Sequence, residues 1–168
     1  MLIMVMGLPG SGKSFFAKRF AEELGAEYIS SDALRIEMGL RGKYLPEGKT
    51  VIYLKMAEKA KDLIKINKDV VLDATFFQKK YRELTYSIAE ANRVPLYLIL
   101  VQADESIIQQ RLSVPRKDSE ADHSVYLKIK DQFEPIEKSF LLLESNNDNL
   151  EEILQKARKY INRPNEQQ

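Results

Sequence analysis

The chain has 168 residues, which is enough for one domain with a sizeable core and short for two. Its 26 Lys and Arg residues nearly balance its 25 Asp and Glu residues, so the chain lacks the large net positive charge that would indicate a nucleic-acid partner. The absence of cysteine excludes disulfides and thiolate metal sites and fits a reducing compartment. The apolar start is too short for a signal or a membrane span, so we expect a cytoplasmic protein without a membrane partner or an obligate protein partner.

Short apolar runs alternate with longer amphipathic segments along the chain. In chain order they predict strand 2–6, helix 14–25, strand 27–30, helix 33–38, helix 50–68, strand 70–75, helix 79–93, strand 95–103, helix 105–112, helix 124–137, strand 139–144 and helix 148–161. Asp148 and Glu151 form a capping-box pattern at the start of the last helix. Because parallel strands need long crossovers, this alternation predicts an α/β sandwich with a parallel sheet covered on both faces. We expect one domain over residues 1–161, followed by a polar tail at 162–168.

The segment GLPGSGKS at 7–14 follows the first strand and opens the first helix. It fits G-x-x-x-x-G-K-[ST], the pattern of a P-loop, whose glycines let backbone N–H groups approach phosphate oxygens. Lys13 is expected to contact the β- and γ-phosphates of ATP and to be catalytic, and the Ser14 hydroxyl is expected to bind Mg²⁺. The predicted nucleotide-binding residues are Gly7, Leu8, Pro9, Gly10, Ser11, Gly12, Lys13, Ser14 and Phe15.

The second strand ends in SSDALR at 30–35, where Asp32 and Arg35 lie three residues apart on one helix face. Asp32 has two interpretations, because aspartate is a favoured N-cap and is also a suitable general base beside a γ-phosphate. In the second interpretation, Asp32 takes the proton of an attacking hydroxyl and Arg35 binds the acceptor or neutralises charge. We predict that both residues are catalytic and contact the acceptor.

The third strand ends in VVLDAT at 70–75. A hydrophobic strand that ends in aspartate resembles a Walker B pattern, so Asp73 is a predicted Mg²⁺ ligand together with Ser14. Thr75, two residues later, is a predicted acceptor contact. The basic cluster KKYR at 79–82 has two interpretations, a solvated helix start or an acceptor contact through Arg82.

A charged stretch at about 111–123 separates two predicted helices and contains Arg111, Arg116 and Lys117. One interpretation is a solvated helical hairpin. The other is a small helical lid whose arginines close over the phosphates, exclude water and stabilise the transferring group. On the lid interpretation, Arg111 and Arg116 are catalytic.

These motifs together resemble the small P-loop kinases, and among them the branch that contains the kinase domain of phage-type polynucleotide kinases. The resemblance spans nearly the whole chain, from the P-loop through SSDALR and DATF to FEP at 133–135. It implies a five-stranded parallel sheet with the P-loop strand in the middle, flanked by the third and fourth strands. It also implies that Asp32 and Arg35 serve as general base and acceptor contact. The chain is similar as well to a broad group of predicted AAA-type bacterial and archaeal kinases.

Two features depart from the polynucleotide kinases. Phe76 stands in DATFF where those enzymes tend to carry a polar residue, and Arg111 and Arg116 lie further apart than their lid arginines. Three functions therefore stay open. The leading function is transfer of the ATP γ-phosphate to a polynucleotide 5′-hydroxyl. The alternative is transfer to a small metabolite such as a sugar, an antibiotic or a nucleoside-like compound, and a less favoured third is a nucleotide-dependent switch. The DxxR pair favours the polynucleotide, whereas the near-neutral charge favours the metabolite.

Overall fold

The computed structural model describes residues 1–40, 46–114 and 123–162. Within these ranges the chain forms five strands and seven helices. Their bounds are β1 Leu2–Met6, α1 Lys13–Leu24, β2 Glu27–Ser30, α2 Ser31–Glu37, α3 Pro46–Lys65, β3 Val70–Asp73, α4 Lys79–Asn92, β4 Leu96–Gln102, α5 Glu105–Leu112, α6 His123–Asp131, β5 Leu141–Glu144 and α7 Leu150–Ile161. The polar tail, which we predicted at 162–168, lies outside the described residues except for Asn162.

The strands form one all-parallel sheet in the order β2-β3-β1-β4-β5. This arrangement confirms the predicted α/β fold and the central P-loop strand flanked by the third and fourth strands. Val5 of β1 and Ser30 of β2 both align with Asp73 of β3. The carboxyl ends of these three strands therefore meet at one edge of the sheet, where ligands bind in open α/β folds.

The side chains of β1 alternate between two cores, and all five of its residues are buried. Leu2, Met4 and Met6 join the cluster that contains apolar residues of α3 and α4. Ile3 and Val5 join the cluster on the opposite face, which contains apolar residues of α1 and α7. A strand buried on both faces reads as a continuous apolar run, and that pattern made β1 recognisable in the sequence.

Several predicted boundaries are wrong, and in two cases hydrogen bonds give the reason. The helix predicted over 124–137 ends at Asp131, and the Glu134 N–H instead donates to the Phe77 carbonyl. The last helix begins after Asn149, whose side chain accepts from the Asn146 N–H and donates to the Glu144 carbonyl. Asp148 is therefore not the N-cap, because the asparagine turn before the helix fixes its start one residue later.

Candidate active site

The P-loop connects β1 to α1 and needs glycine at two positions for steric reasons. Gly7 has a φ of +152°, and a Cβ there would lie 2.4 Å from the Val101 carbonyl oxygen. Gly12 has a φ of +89°, and a Cβ there would lie 2.6 Å from Ser145 Oγ. The helix begins at Lys13, so the positive end of its dipole points into the loop. An anion is the ligand that such a helix start favours.

A cavity of about 110 Å³ opens between the P-loop and the helices α2, α3 and α6. It brings together five residues that the sequence placed near the phosphates or the acceptor: Lys13, Ser14, Asp32, Arg35 and Thr75. Pro9, Gly10, Gly12 and Phe15 of the predicted nucleotide site line it as well. Leu8 packs against the core, and Ser11 is buried with 1% exposure.

Seven further residues line this cavity and were missed by the sequence analysis: Ser31, Lys49, Ile52, Tyr53, Phe77, Val125 and Ile129. Most of them belong to α3, α6 and the turn after β3. The sequence gives only a weak signal for them, because the stripe that contains Ile52 is equally typical of a core-facing helix. Tertiary packing alone brings these elements next to the P-loop.

The structure decides what caps α2. The N-cap is Ser30, whose Oγ accepts from the Ala33 N–H at 3.4 Å. Asp32 lies in the first turn of the helix and lines the cavity, so its interpretation as the N-cap is wrong. Arg35 lies one turn later, also lines the cavity and is buried, with 8% exposure.

Asp73 is buried at the end of β3, and it does not line the cavity itself. Its Oδ2 accepts a hydrogen bond of 2.6 Å from the Tyr28 hydroxyl. Burial and the nearby Asp73 carboxylate raise the pKa of Tyr28, so this tyrosine stays a hydrogen-bond donor at neutral pH. Asp73 Oδ1 has no hydrogen-bond partner among the described residues. One carboxylate oxygen is therefore held in place and the other keeps its acceptor capacity.

The turn after β3 has a constrained backbone. Phe76 has a φ of +48°, which is unfavourable for a bulky residue, and its side chain is buried. The Tyr53 hydroxyl accepts from the Phe76 N–H at 3.0 Å and lies 3.1 Å from Thr75 Oγ1. Arg82 Nη1 donates to the Phe76 carbonyl at 2.9 Å. Tyr53 and Arg82 thus hold the peptide groups of Phe76 from both sides.

The assignment of Arg82 to the acceptor site is corrected by this placement. Its side chain has 0% exposure, and Nη2 donates to the Pro135 carbonyl and lies 3.6 Å from a Glu137 carboxylate oxygen. A guanidinium buried against two carbonyl groups stabilises the turn instead of meeting a ligand. Phe76 likewise belongs to the core, which explains why no polar residue stands there.

A second groove, of about 250 Å³, lies on the other side of the P-loop. It is lined by Gly12, Phe15, Phe16, Arg111, Ser145, Asn146, Asn147, Leu150 and Ile153. Arg111 Nη1 donates to the Gly10 carbonyl at 3.1 Å and to Ser145 Oγ at 3.3 Å, and Arg111 Nη2 donates to Asn147 Oδ1 at 3.2 Å. Arg111 therefore contacts the outer side of the P-loop, not the cavity that contains Asp32. Arg116 and most of the predicted lid at 111–123 lie outside the described residues.

Across residues 1–40, 46–114 and 123–162, no cluster of three or more His, Asp or Glu side chains could hold a metal ion unaided. In the same ranges, no helix is both long enough and apolar enough to cross a membrane.

A parallel sheet with a central P-loop strand, and with an acidic and a basic residue of α2 in the cavity beside that loop, is the arrangement of a small P-loop kinase fold. The family model AAA_33, an AAA domain, matches residues 2–136, and the chain belongs to this family. A curated relative, a UPF0200 protein of Pyrococcus abyssi, is 36% identical over 98 residues, which cover 49% of this chain and 52% of the relative. The chain thus matches about half of the length of that relative.

Two solved structures share the fold over nearly the full chain. A sugar kinase from Janibacter sp. HTCC2649 has a TM-score of 0.72 at 20% identity, covering 95% of this chain and 93% of that one. The APS kinase CysC of Mycobacterium tuberculosis, in complex with AMPPNP and APS, has a TM-score of 0.70 at 14% identity, covering 96% and 97%. At sequence identities this low, the similarity to these two structures shows a shared fold and nothing more.

Proposed function

We propose that the protein is an ATP-dependent phosphotransferase that moves the γ-phosphoryl group to a hydroxyl of a small molecule. The main support for this proposal is the cavity, which is lined by Asp32 and Arg35 of α2 together with Lys13 and Ser14 of the P-loop. A nucleotide switch needs a P-loop, but it has no use for a carboxylate and a guanidinium in an enclosed space beside the γ-phosphate. A kinase needs both, one to take a proton and one to hold the acceptor.

The nucleotide and the acceptor then lie on opposite sides of the P-loop. The ATP phosphates lie over the loop, where Lys13 and the start of α1 neutralise their charge. The base extends into the groove that contains Arg111, Phe15 and Asn147. Phe15 is 70% exposed and Arg111 presents a planar cation, and both are surfaces on which an aromatic base can stack. In this arrangement Arg111 binds the nucleotide instead of closing a lid over the transferring phosphate.

The residues present fit a magnesium ion. Ser14 lines the cavity at the P-loop, and Asp73 keeps one unpartnered carboxylate oxygen at the adjoining strand end among the described residues. Hydroxyl and carboxylate oxygens are the ligands that Mg²⁺ prefers, together with phosphate oxygens and water. When bound, the ion would neutralise charge on the β- and γ-phosphates.

The reaction needs few protein groups. The acceptor hydroxyl oxygen forms a bond to the γ-phosphorus as the bond from that phosphorus to the β–γ bridging oxygen breaks, and ADP leaves. Asp32 accepts the hydroxyl proton, while Lys13 stabilises the charge that develops on the leaving oxygen. Thr75, which lines the cavity and contacts the Tyr53 hydroxyl, hydrogen-bonds the acceptor in this proposal.

A polynucleotide 5′-hydroxyl, favoured by the DxxR pair in the sequence, has weaker support than a small molecule. Lys79, one of the basic residues near the site, lies within ion-pair distance of Glu83 and Glu137. The sugar and APS kinases that share the fold also act on small molecules, as their names state.

The test is transfer of label from γ-labelled ATP to a panel of metabolites and 5′-hydroxyl oligonucleotides. We expect a labelled small molecule, and we expect Lys13→Ala to lower its formation by about 10²–10³-fold, through loss of charge stabilisation. Lys18→Ala, an exposed lysine on the same helix, is the matched control and should leave transfer unchanged. Lys13-dependent release of inorganic phosphate without any labelled acceptor would show a nucleotide switch instead.

A further inference from the structure

Among the described residues, two basic side chains and one carboxylate line the acceptor side of the cavity. Its charged lining residues, among those described, are Lys13, Asp32, Arg35 and Lys49. Lys13 belongs to the P-loop and is occupied by the ATP phosphates when nucleotide is bound. That leaves two cations, Arg35 of α2 and Lys49 of α3, facing one carboxylate that the reaction uses as a base.

Lys49 has an environment that is unusual for a lysine. Its Nζ lies 4.9 Å from the centroid of the Phe77 ring, and it forms no ion pair with any described residue. Its pKa is lowered by burial, by the positive charge of Lys128 on α6 and by that of Arg35. Arg35 of α2 and Lys49 of α3 therefore line the same cavity, and Lys128 of α6 is close enough to Lys49 to lower its pKa.

The remaining wall is apolar. Phe77, Val125 and Ile129 line the cavity close to Lys49 and provide a surface for a carbon skeleton. A site that combines a few fixed charges with apolar walls is typical of small-molecule recognition.

Building on the proposed function, we propose that the acceptor is a small anionic metabolite, in which a carboxylate or phosphate group accompanies the reacting hydroxyl. Arg35 and Lys49 bind the anionic group, and this contact turns the hydroxyl toward Asp32 and the γ-phosphate. Lys49 is in this role a specificity-determining residue, because it separates anionic acceptors from neutral ones of the same shape. The guanidinium of Arg35 can engage the two oxygens of such a group together.

The experiment uses acceptors in matched pairs: gluconate against glucose, glycerate against glycerol, and ribose 5-phosphate against ribose, with a 5′-hydroxyl 20-mer DNA as a further substrate. We expect label on the anionic members and at least about tenfold less on their neutral partners. Lys49→Met should raise KM for the anionic acceptor by about tenfold and leave KM for ATP within about twofold. Lys61→Met, an exposed position further along the same helix, is the matched control.

A binding measurement separates this inference from the kinase proposal. With AMPPNP and Mg²⁺ occupying the P-loop, the anionic compounds should raise the melting temperature of the wild type and of Lys61→Met but not that of Lys49→Met. Anion binding without label transfer would contradict the kinase proposal and leave the anion site standing. Preferential labelling of neutral partners, labelling of the oligonucleotide alone, or an unchanged acceptor KM in Lys49→Met would overturn the anionic acceptor while leaving phosphotransfer intact.

Discussion

Asp32 is a residue whose local sequence supports two roles and whose surroundings support one. Ser30 caps α2, so the helix does not need the Asp32 carboxylate to complete its first turn. The carboxylate is instead directed into the cavity that holds Lys13. A carboxylate that lines the cavity beside the P-loop lysine is a strong candidate for a general base.

We therefore predict that Asp32→Asn lowers the rate of phosphoryl transfer by about 10²–10⁴-fold, because the amide cannot accept the hydroxyl proton. Its free energy of unfolding should fall by no more than about 1 kcal/mol, the range for an acidic residue in the first turn of a helix. Ser30→Ala should behave in the opposite way, losing about 1 kcal/mol of stability with its cap while retaining transfer. The rate of transfer from labelled ATP measures the first effect, and unfolding in urea measures the second. Transfer by Asp32→Asn at the wild-type rate would exclude the base.

At the scale of elements, the turn between β3 and α4 carries a strained residue inside the core. A left-handed phenylalanine costs about 1–3 kcal/mol and persists only where its neighbours enforce it. Here the enforcement comes from Tyr53 on α3 and Arg82 on α4, which bind the N–H and the carbonyl of Phe76. The same turn presents Thr75 to the cavity, so packing between α3 and α4 fixes a residue of the site.

Loss of the Tyr53 hydroxyl should therefore affect both stability and activity. Tyr53→Phe leaves the buried Phe76 N–H without its partner, and we expect a loss of about 1–3 kcal/mol in the free energy of unfolding. Transfer should fall as well, because Thr75 loses its orienting contact. Tyr81→Phe is the matched control, since among the described residues this buried hydroxyl contacts a side-chain hydroxyl, that of Thr50 at 3.3 Å, and not a backbone N–H. If Tyr53→Phe and Tyr81→Phe were equally stable in urea unfolding, the Tyr53 hydroxyl would not be what holds the backbone of Phe76.

The elements also show which parts of the structure the sequence could predict. The P-loop and the three strand ends were predictable because they depend on local patterns, namely glycine spacing and apolar runs that end in polar residues. Arg82 was misassigned because its neighbours in sequence are solvated lysines, whereas the carbonyls it binds come from the turn after β3 and from Pro135. Lys49 was missed for the same reason, since its electrostatic environment depends on Arg35 and Lys128, which belong to two other helices.

At the scale of the whole molecule, the buried tyrosines make stability depend on alkaline pH. Burial raises the pKa of Tyr53 to about 12, against 10.0 for an ordinary tyrosine, and the pKa of Tyr28 is also raised. The unfolded chain therefore loses these protons at a lower pH than the folded protein does. The stabilisation is fully present below about pH 10 and is lost as the pH rises toward 12.

We predict that the free energy of unfolding falls between pH 10 and pH 12, with about 2–3 kcal/mol attributable to Tyr53. Urea unfolding at pH 8.5, 10 and 11 measures this slope. Tyr53→Phe should be less stable at pH 8.5 but should show a shallower decline. If the free energy of unfolding of Tyr53→Phe fell with pH as steeply as that of the wild type, the loss of stability at alkaline pH would belong to other groups.

The two spaces beside the P-loop share Gly12 and Phe15 and otherwise have separate linings. Because the two linings are otherwise distinct, nucleotide and acceptor can occupy the protein together, and the proposed transfer passes directly between them. The chain has no cysteine, and its one histidine does not line the cavity, so neither residue type offers a relay for the phosphoryl group. Initial-rate plots should then intersect instead of running parallel, and a chiral phosphorus label should leave the protein with its configuration inverted once.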